Sequence, residues 1–240
     1  MKKITILLLL TTVFGFSQVK NGSIAYSLVL TEDKEFLSLE GMGSIYKMAI
    51  EDAKNIEFSL NFDAQESYFK IKDIMNSNTA DSDIAKSFSG YSAPIYSNSL
   101  TKKTLQTSSE NFFPKDKYIV EKEMVNDWVL RSETKMIDNY LCYKAETVNV
   151  VVNPKGTFRH PVTAWYCPKI PFPFGPKGYG NLPGLILELQ VRNVVFGAKS
   201  IVFNSSEKLE IIKPTKGKMI SYEDYNKEVA KIADQMFSGK

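Results

Sequence analysis

The chain has 240 residues, of which 30 are Lys or Arg and 27 are Asp or Glu, so its formal net charge is +3 with its single histidine neutral. This balance lacks the strong basic character of proteins that bind nucleic acids or anionic membrane surfaces. We therefore predict no nucleic-acid partner, and nothing in the composition calls for a cofactor.

The N-terminus has the pattern of a secretory leader. Two lysines open the chain, the apolar run Ile4–Phe14 follows, and the small residues Gly15 and Ser17 stand at the −3 and −1 positions before Gln18. The apolar run is too short to span a bilayer, which needs about 20 residues. The pattern predicts a signal peptide over residues 1–17 and export to the periplasm or the extracellular space.

After removal of the leader, residues 18–240 carry 28 basic and 27 acidic residues, a net charge of +1. No further apolar run reaches membrane-spanning length, so we predict no transmembrane segment in the mature chain. We assign the mature residues to a single β-rich domain.

The first half of the mature chain mixes clear and ambiguous segments. Ser23–Leu30 predicts a strand, and the alternation of apolar and polar residues across Asn55–Lys72 predicts a hairpin. Thr31–Lys54 is expected to be a turn-rich connection with a short strand or helix near Ile45–Ile50. The polar segment Met75–Lys117 is interpreted as a long surface loop with short strand pieces, or as irregular edge strands.

A second hairpin is expected around the turn Asp138-Asn139, because Asn tolerates the backbone that tight hairpin turns demand. In that register, facing residues have numbers that sum to 277. Opposed pairs are then Glu133 with Lys144, Arg131 with Glu146, and Val129 with Val148. The other face carries Trp128, Leu130 and Met136 against Leu141, Tyr143 and Ala145.

The following turn, Asn153–Gly156, leaves two registers open. If all four residues form the loop, facing residue numbers sum to 309, and Cys142 lies directly opposite Cys167. If the turn has three residues and a glycine bulge, the sum is 310 and the two cysteines lie on opposite faces. Because export favours disulfides, Cys142 and Cys167 are our candidate disulfide.

The C-terminal third is expected to hold strands and one helix. Leu185–Val191, Val194–Phe196 and Lys199–Phe203 predict strands, and Leu209–Ile212 is a further strand candidate. Ser221 is expected to cap a helix whose apolar stripe, suited to covering a sheet, consists of Tyr225, Val229, Ile232 and Met236.

Between the strands that end at Cys167 and begin at Leu185 lies a segment rich in proline and glycine. Proline fixes φ and glycine permits turns, so this composition predicts an ordered, folded-back loop. Its prolines and glycines are Pro168, Pro171, Pro173, Pro176, Pro183, Gly175, Gly178, Gly180 and Gly184.

Four sequence motifs resemble those of the GLPGLI family of exported bacterial proteins. The motifs are Lys135-x-Ile137-x-x-Tyr140-x-Cys142-x-Lys144-Ala145, Ala164-Trp165-Tyr166, Gly175-Pro176 and Leu182-Pro183-Gly184-Leu185-Ile186. Asn139 and Asn181 stand where that family usually has glycine. The resemblance covers the leader, the second hairpin and the proline-rich loop, and it implies no particular activity.

An aromatic set around this loop is our candidate ligand or partner surface. Its members are Trp165, Tyr166, Phe172, Phe174, Tyr179 and Leu182. The alternative interpretation is that these side chains pack the loop over the end of the sheet.

Groups suited to catalysis are sparse. His160 is the single histidine, and no Gly-x-Ser-x-Gly elbow is present to supply a nucleophile beside it. Glu188, an acid within an apolar strand, is the first carboxylate to consider, but an outward-facing side chain on a half-exposed strand explains it better. We assign no catalytic, cofactor-binding or metal-binding residues.

These observations predict a mainly β (α+β) fold, a curved antiparallel sheet or open barrel with a C-terminal helix packed on it. The expected function is an exported, non-enzymatic binding or envelope-assembly protein, with an unknown ligand or an envelope protein as partner. The alternative is a secreted or periplasmic hydrolase that uses acidic residues. An enzyme should bring several acids together in a cleft, whereas a binder should show an aromatic or apolar concavity without them.

Overall fold

The computed structural model describes residues 19–72, 79–153, 156–204 and 208–238. The predicted leader therefore lies outside the described residues, as do Pro154 and Lys155 of the second predicted turn. Helices are α1 Lys34–Ser38, α2 Met42–Ala53, α3 Thr79–Ser89 and α4 Tyr222–Ser238, and a 3-10 turn spans Pro176–Gly178. Strands are β1 Asn21–Leu30, β2 Glu57–Asp63, β3 Glu66–Ile71, β4 Ile95–Asn98, β5 Lys103–Thr107, β6 Tyr118–Glu123, β7 Val129–Ile137, β8 Tyr140–Asn153, β9 Gly156–Cys167, β10 Leu185–Val191, β11 Val194–Phe203 and β12 Lys218–Ser221.

The twelve described strands form one open sheet in the order β12-β6-β5-β4-β3-β2-β1-β11-β10-β9-β8-β7. Every neighbouring pair is antiparallel except β12 with β6, which is parallel. β12 and β7 stand at the two ends of the strand order. The predicted fold class, a mainly β sheet with a C-terminal helix, is confirmed.

The centre of the sheet follows the alternation in the sequence. On β1, every second residue (Ile24, Tyr26, Leu28) is fully buried, because that face meets the core while its neighbours point away. β2 and β3 form the predicted hairpin, and the Asp63 side chain accepts hydrogen bonds from the backbone N–H groups of Gln65 and Glu66.

We call the face of the sheet that carries Phe58, Phe69 and Phe196 the inner face. These three rings pack against one another with centroids 5.1–5.8 Å apart. Over the inner face lie the proline-rich loop, through Phe172 and Phe174, and the helices α2 and α3, whose small alanines are buried in the same core. This two-layer arrangement buries an apolar face that the sheet alone would leave in water.

Two segments with ambiguous sequence patterns contain helices. The connection after β1 forms α1 and α2, so the helix alternative near Ile45–Ile50 is the correct one. Within the predicted loop region, α3 precedes β4 and β5. Its Phe88 ring packs against Phe36 and Tyr46, at 5.3 and 4.9 Å between centroids. These partners are far from α3 in the sequence, so the polar composition of α3 gives no sign of its apolar contacts.

The second hairpin keeps the predicted 277 register only near its turn. Ile137 pairs with Tyr140 and Thr134 with Tyr143, and a bulge then shifts the register by two, so that Val129 faces Glu146. The predicted pairing of Val129 with Val148 is therefore wrong. Both predicted ion pairs are present: the Arg131 guanidinium lies 2.7 Å from the Glu146 carboxylate, and Lys144 lies 3.4 Å from Glu133.

The predicted apolar face of this hairpin is largely exposed. Leu130 and Met136 on β7 are 54% and 60% exposed, and Leu141 opposite is 39% exposed, whereas Ala145 is buried. The reason is topological: β7 is an edge strand, so regular alternation there does not imply a covering layer.

The β8–β9 pair has the 309 register along its whole described length, from Tyr143 with Tyr166 to Asn153 with Gly156. Further on, the two strands predicted around Gly197 are one continuous strand, β11. Leu209–Ile212, a strand candidate, forms no strand; it crosses the outer face, where the Asn61 side chain donates to the Glu210 carbonyl oxygen at 2.9 Å.

The C-terminal helix begins as predicted, because the Ser221 hydroxyl accepts from the Asp224 backbone N–H at 3.1 Å. Tyr225 anchors α4 beside β6: its ring packs on Phe113, and its hydroxyl accepts the Ser109 N–H at 3.2 Å. The first turns of α4 thereby stand over the inner face of β5 and β6.

Candidate functional site

The proline-rich loop is ordered and folded back on itself, as its composition predicts. The Leu185 N–H donates to the Ile170 carbonyl, and the Asn181 N–H donates to that of Pro173, at 2.9 and 3.1 Å. Gly184 has a φ of +158°, and a Cβ there would stand 2.2 Å from the Cys167 carbonyl oxygen. Only glycine allows the two ends of the loop to approach so closely.

Most of the predicted aromatic surface lies in the core instead. Tyr166, Phe172, Phe174 and Leu182 are each no more than 6% exposed. Phe172, for example, packs on Phe62 with centroids 4.8 Å apart. These four side chains hold the loop to the sheet, which corrects the predicted surface and matches the alternative interpretation.

Trp165, which also belongs to the predicted aromatic surface, is part of a charged cluster on β7, β9 and β10. The Lys135 ammonium lies 5.0 Å from the centre of the Trp165 ring and 2.6 and 2.7 Å from the two carboxylate oxygens of Glu188. Glu188, the acid that the hydrolase alternative favoured, is therefore neutralised by a lysine from a strand three places away in the sheet.

Tyr179, the remaining residue of the predicted aromatic surface, lines a cavity. Its ring lies near Trp128, whose indole N–H donates to the Gly180 carbonyl at 2.9 Å. The cavity has a volume of about 300 Å³ and lies between the 3-10 turn, the inner face of β4–β6 and the first turns of α4. Its lining consists of Gly90, Ser92, Ile95, Thr104, Gln106, Thr107, Val120, Lys122, Asn149, Lys177, Tyr179, Val191, Tyr222, Tyr225 and Asn226.

Lys177 enters this cavity because the loop backbone is bent sharply toward the sheet. Both Lys177 and Gly178 have positive φ, 55° and 73°. A Cβ at Gly178 would stand 2.9 Å from the Thr104 methyl group, so the glycine permits the loop to rest directly on β5.

The Lys177 ammonium is held at a fixed point. It donates a hydrogen bond to the Ser89 carbonyl oxygen, at the C-terminal end of α3, at 2.9 Å. It also lies where a side chain at Gly90 would begin, 2.8 Å from the position of a Cβ there. The negative end of the α3 dipole favours a cation at this place.

The cavity disfavours the charged form of Lys177. Burial, and secondarily the nearby Lys122 ammonium, lower the pKa of Lys177 to about 8. Lys122 itself lies over the Tyr222 ring, 4.6 Å from its centre. Among the described residues, neither lysine has a carboxylate at ion-pair distance, and the lining contains no Asp or Glu.

Tyr179 adds a phenolic hydroxyl to the lining. Burial, followed by the influence of Tyr222, raises the pKa of Tyr179 to about 12. Three carboxamides, those of Gln106, Asn149 and Asn226, complete a lining that can both donate and accept hydrogen bonds.

The two cysteines are free thiols and are both buried. The 309 register, on which the predicted disulfide depends, is the one observed, and its next step places Cys142 opposite Cys167. Burial, and then the neighbouring Cys167 thiol, raise the pKa of Cys142 to about 12. His160 faces Asn149 in the same ladder, and the described residues contain no group of three His, Cys, Asp or Glu side chains suited to a metal ion.

Sequence reasoning missed most of this cavity. Tyr179 was singled out by its place in the aromatic set, but Lys177 and Lys122 are two lysines among many. The available signal was local: Lys177 precedes a glycine in the turn-forming loop, a position where the side chain can be directed into the fold. Its burial depends on Ser89 and Thr104, which are far away in sequence.

Comparisons with known proteins agree with this fold and leave the function open. A profile of the Porph_ging family, described as a protein of unknown function, matches residues 154–188, which contain β9 and the proline-rich loop. No curated protein matches the chain. Two crystal forms of PNGF-II are similar at TM-scores of 0.54 and 0.52, with 14% identity over 89% of this chain.

The chain spans about a third of the length of PNGF-II, 34% and 33% in the two crystal forms. At this level of identity the likeness concerns the fold alone. Within the described ranges, no helix is both long and apolar enough to cross a membrane. The chain therefore shares its sheet architecture with one part of PNGF-II and its loop region with the Porph_ging family.

Proposed function

We propose that this chain is an exported, non-enzymatic binding protein whose small ligand occupies the cavity of Lys177. The observation that carries the proposal is the lining itself. It combines tyrosine rings, carboxamides and hydroxyls with two lysines, and no described carboxylate accompanies them. Pockets for small molecules typically combine apolar walls with a few convergent polar groups, as this one does.

The volume of the cavity supports a ligand rather than a protein partner. About 300 Å³ is at the lower end of the range for small-molecule pockets. Four of the six side chains of the predicted partner surface, Tyr166, Phe172, Phe174 and Leu182, are committed to the core. A role in envelope assembly would therefore operate through the ligand.

The hydrolase alternative calls for two or more acids that converge in a cleft. Glu188, the acid favoured for that role, is paired with Lys135. Groups around the cavity are suited to holding a ligand by hydrogen bonds and charge, and the described lining contains no carboxylic acid of the kind that the hydrolase alternative requires.

Export is the second part of the proposal and rests on the leader pattern of residues 1–17. Mature protein from its native envelope should begin at Gln18. N-terminal sequencing or intact mass measurement checks this expectation, and recovery of chains that still begin with Met1 would contradict it.

The binding proposal is tested by blocking the cavity from its mouth. Asn226 is exposed on α4 and lines the cavity, so Asn226→Trp should fill it without disturbing the core. Glu223→Trp, one turn earlier and outside the lining, is the matched control. We expect wild-type and Glu223→Trp chains, purified without denaturation from their native envelope, to retain a small molecule that mass spectrometry detects.

The Asn226→Trp chain should retain at least tenfold less of that molecule. Two results would contradict the proposal. The first is equal retention of the small molecule by the Asn226→Trp and Glu223→Trp chains. The second is that no chain retains a small molecule and that metabolites from the same envelope do not raise the unfolding temperature of the wild-type chain.

A further inference from the structure

We propose that the ligand is a small polyhydroxylated carboxylate, of the size and chemistry of a hexuronate, and that its carboxylate binds between Lys177 and Lys122. This inference rests on the proposed function, because it names the class of ligand for the same cavity. The argument proceeds from the lysines to the remaining lining.

Lys177 has unused hydrogen-bonding capacity. A lysine ammonium has three donors, and the Ser89 carbonyl accepts one of them. The contact with Ser89 also fixes the direction of the side chain, so little conformational entropy remains to be lost on binding. An oxygen acceptor in the cavity would satisfy a donor that is already in place.

Lys177 is half-buried and Lys122 is exposed, and both differ from the half-buried lysines that pair with acids elsewhere in the fold. Lys135 has Glu188 at 2.6 Å, and Lys103 has Glu121 at 2.7 Å. Lys177 and Lys122 instead line one cavity, and none of the described residues that line it is an Asp or a Glu. Because like charges and burial both oppose the charged form of Lys177, an anion placed between the two ammonium groups would relieve both penalties.

The remaining polar groups favour an anion that also carries hydroxyl groups. Asn149 and Asn226 present carboxamides, which can donate to and accept from hydroxyl groups of a ligand. The Gln106 amide nitrogen donates to the Ser92 hydroxyl and the Ala93 carbonyl, so Gln106 offers a ligand its carbonyl oxygen as an acceptor. The Tyr179 and Tyr222 rings add apolar surface to the lining that the C–H groups of a sugar ring can contact, and the Lys122 ammonium lies over the Tyr222 ring. A bare inorganic anion would leave these groups unused.

The size of the cavity completes the assignment. A volume of about 300 Å³ accommodates a single sugar ring and excludes an extended chain. One ring with one carboxylate uses the two lysines, the carboxamides and the tyrosines together. A neutral sugar of the same size would leave the ammonium groups without a partner.

The test compares three probes by calorimetric titration of the full chain, expressed with its own leader, at pH 7. D-glucuronate carries the ring and the charge, D-glucose carries the ring alone, and inorganic phosphate carries charge alone. We expect glucuronate to bind at least tenfold more tightly than either of the others, because a hydrogen bond to a charged group is worth more than one to a neutral group.

Variants assign the effect to the lysines. Lys177→Met should weaken glucuronate binding at least tenfold and leave glucose binding unchanged. Lys122→Met, on the exposed edge of the cavity, should weaken it severalfold, and it decides the question if Lys177→Met does not fold. Lys47→Met, on the exposed side of α2 and outside the lining, is the matched control and should bind as the wild type does.

Several outcomes would overturn the inference. Equal affinity for glucuronate and glucose would remove the role of charge, and phosphate binding as tight as glucuronate would remove the role of the ring. Undetectable glucuronate binding, or unchanged binding by both lysine variants, would leave Lys177 as a structural cap of α3. The proposed function is judged separately, by cargo retention in the Asn226→Trp chain.

Discussion

Two regions of this molecule treat charge in opposite ways. Across β7–β10, the strands that carry most of the recognised motifs, Lys135 is paired with Glu188 and Arg131 with Glu146. In the cavity beside β5, β6 and α4, Lys177 and Lys122 point toward one space with no described carboxylate. The charges of the first region are balanced within the chain, whereas those of the second have no carboxylate beside them among the described residues.

The difference teaches where to look for function in this fold. A lysine that is paired with an acid within the fold, such as Lys135, needs no ligand to account for it, even where it lies within a sequence motif. An unpaired, buried lysine lowers stability unless something else offsets its desolvation. We therefore interpret the segment Leu182–Ile186 as a structural element of the loop, and we propose the turn at Lys177, a few residues earlier, as the ligand-binding site.

The largest effect is expected at the scaffold of the loop. Gly184→Val should destabilise the protein by about 4 kcal/mol or more, because its Cβ would overlap the Cys167 carbonyl group. Pro183→Ala, at the exposed neighbouring residue, should cost about 1 kcal/mol or less. Urea unfolding measures both, and equal small changes would show that the loop is not the rigid element described above.

The next prediction sharpens the contrast through pH. Since the pKa of Lys177 falls from 10.5 to about 8 on folding, the unfolded chain binds more protons than the folded chain between these two values. The unfolding free energy of the wild type should therefore rise with pH across this window, relative to Lys177→Met, by up to about 3 kcal/mol.

Urea unfolding at pH 7 and pH 10 measures that change, with Lys47→Met as the control. The tyrosines at the cavity, Tyr222, Tyr225 and Tyr179, are common to both chains, so their contributions largely cancel in the difference. Lys122 is also common to both chains, but its repulsion with Lys177 is lost in Lys177→Met and is part of the effect measured. The Ser89 carbonyl, which α3 presents, does not titrate. A difference between wild type and Lys177→Met that stays constant with pH would mean that Lys177 is not desolvated.

A third prediction concerns Cys142 and Cys167, which are free thiols here and opposed in register. We expect a disulfide between them in exported protein. Their bond would close a loop of about 25 residues, worth roughly 3–4 kcal/mol by chain entropy. The real gain should be smaller, because the β8–β9 hairpin already orders that loop.

The raised pKa of Cys142 makes the folded thiol slow to react, so the bond should form while the chain folds, by exchange with an external disulfide that is reduced to two thiols. Intact mass after alkylation without reduction, under denaturing conditions, gives the answer. Two added alkyl groups on the exported chain would contradict the prediction.

The smallest effect is expected for the paired charges. A double-mutant cycle with Lys135→Met and Glu188→Gln should give a coupling energy of about 1 kcal/mol, since both side chains keep some contact with water. The more exposed pair Arg131 and Glu146 should give a few tenths of a kcal/mol. A coupling near zero for Lys135 and Glu188 would remove the contrast between the two regions.

Much of the sheet could be predicted from the sequence because strand alternation and turn chemistry are local. The β2–β3 hairpin, the turn at Asp138-Asn139 and the folded-back loop all follow from residues that are near one another. The C-terminal helix also followed from its cap and apolar stripe, whereas α3 did not. The apolar side of α3 is defined by Phe36 and Tyr46, and its own composition resembles a loop.

The sequence by itself determined the first strand, the hairpins near their turns, the ordered loop and the two candidate registers between β8 and β9. Tertiary structure decided between those registers, exposed the apolar side of β7 at the sheet edge, and buried four of the six members of the aromatic set. It alone placed Lys177 against the end of α3 and beside Lys122. The physical reason is that desolvation and like-charge proximity are properties of distances between remote residues, and no local pattern in a sequence encodes such distances.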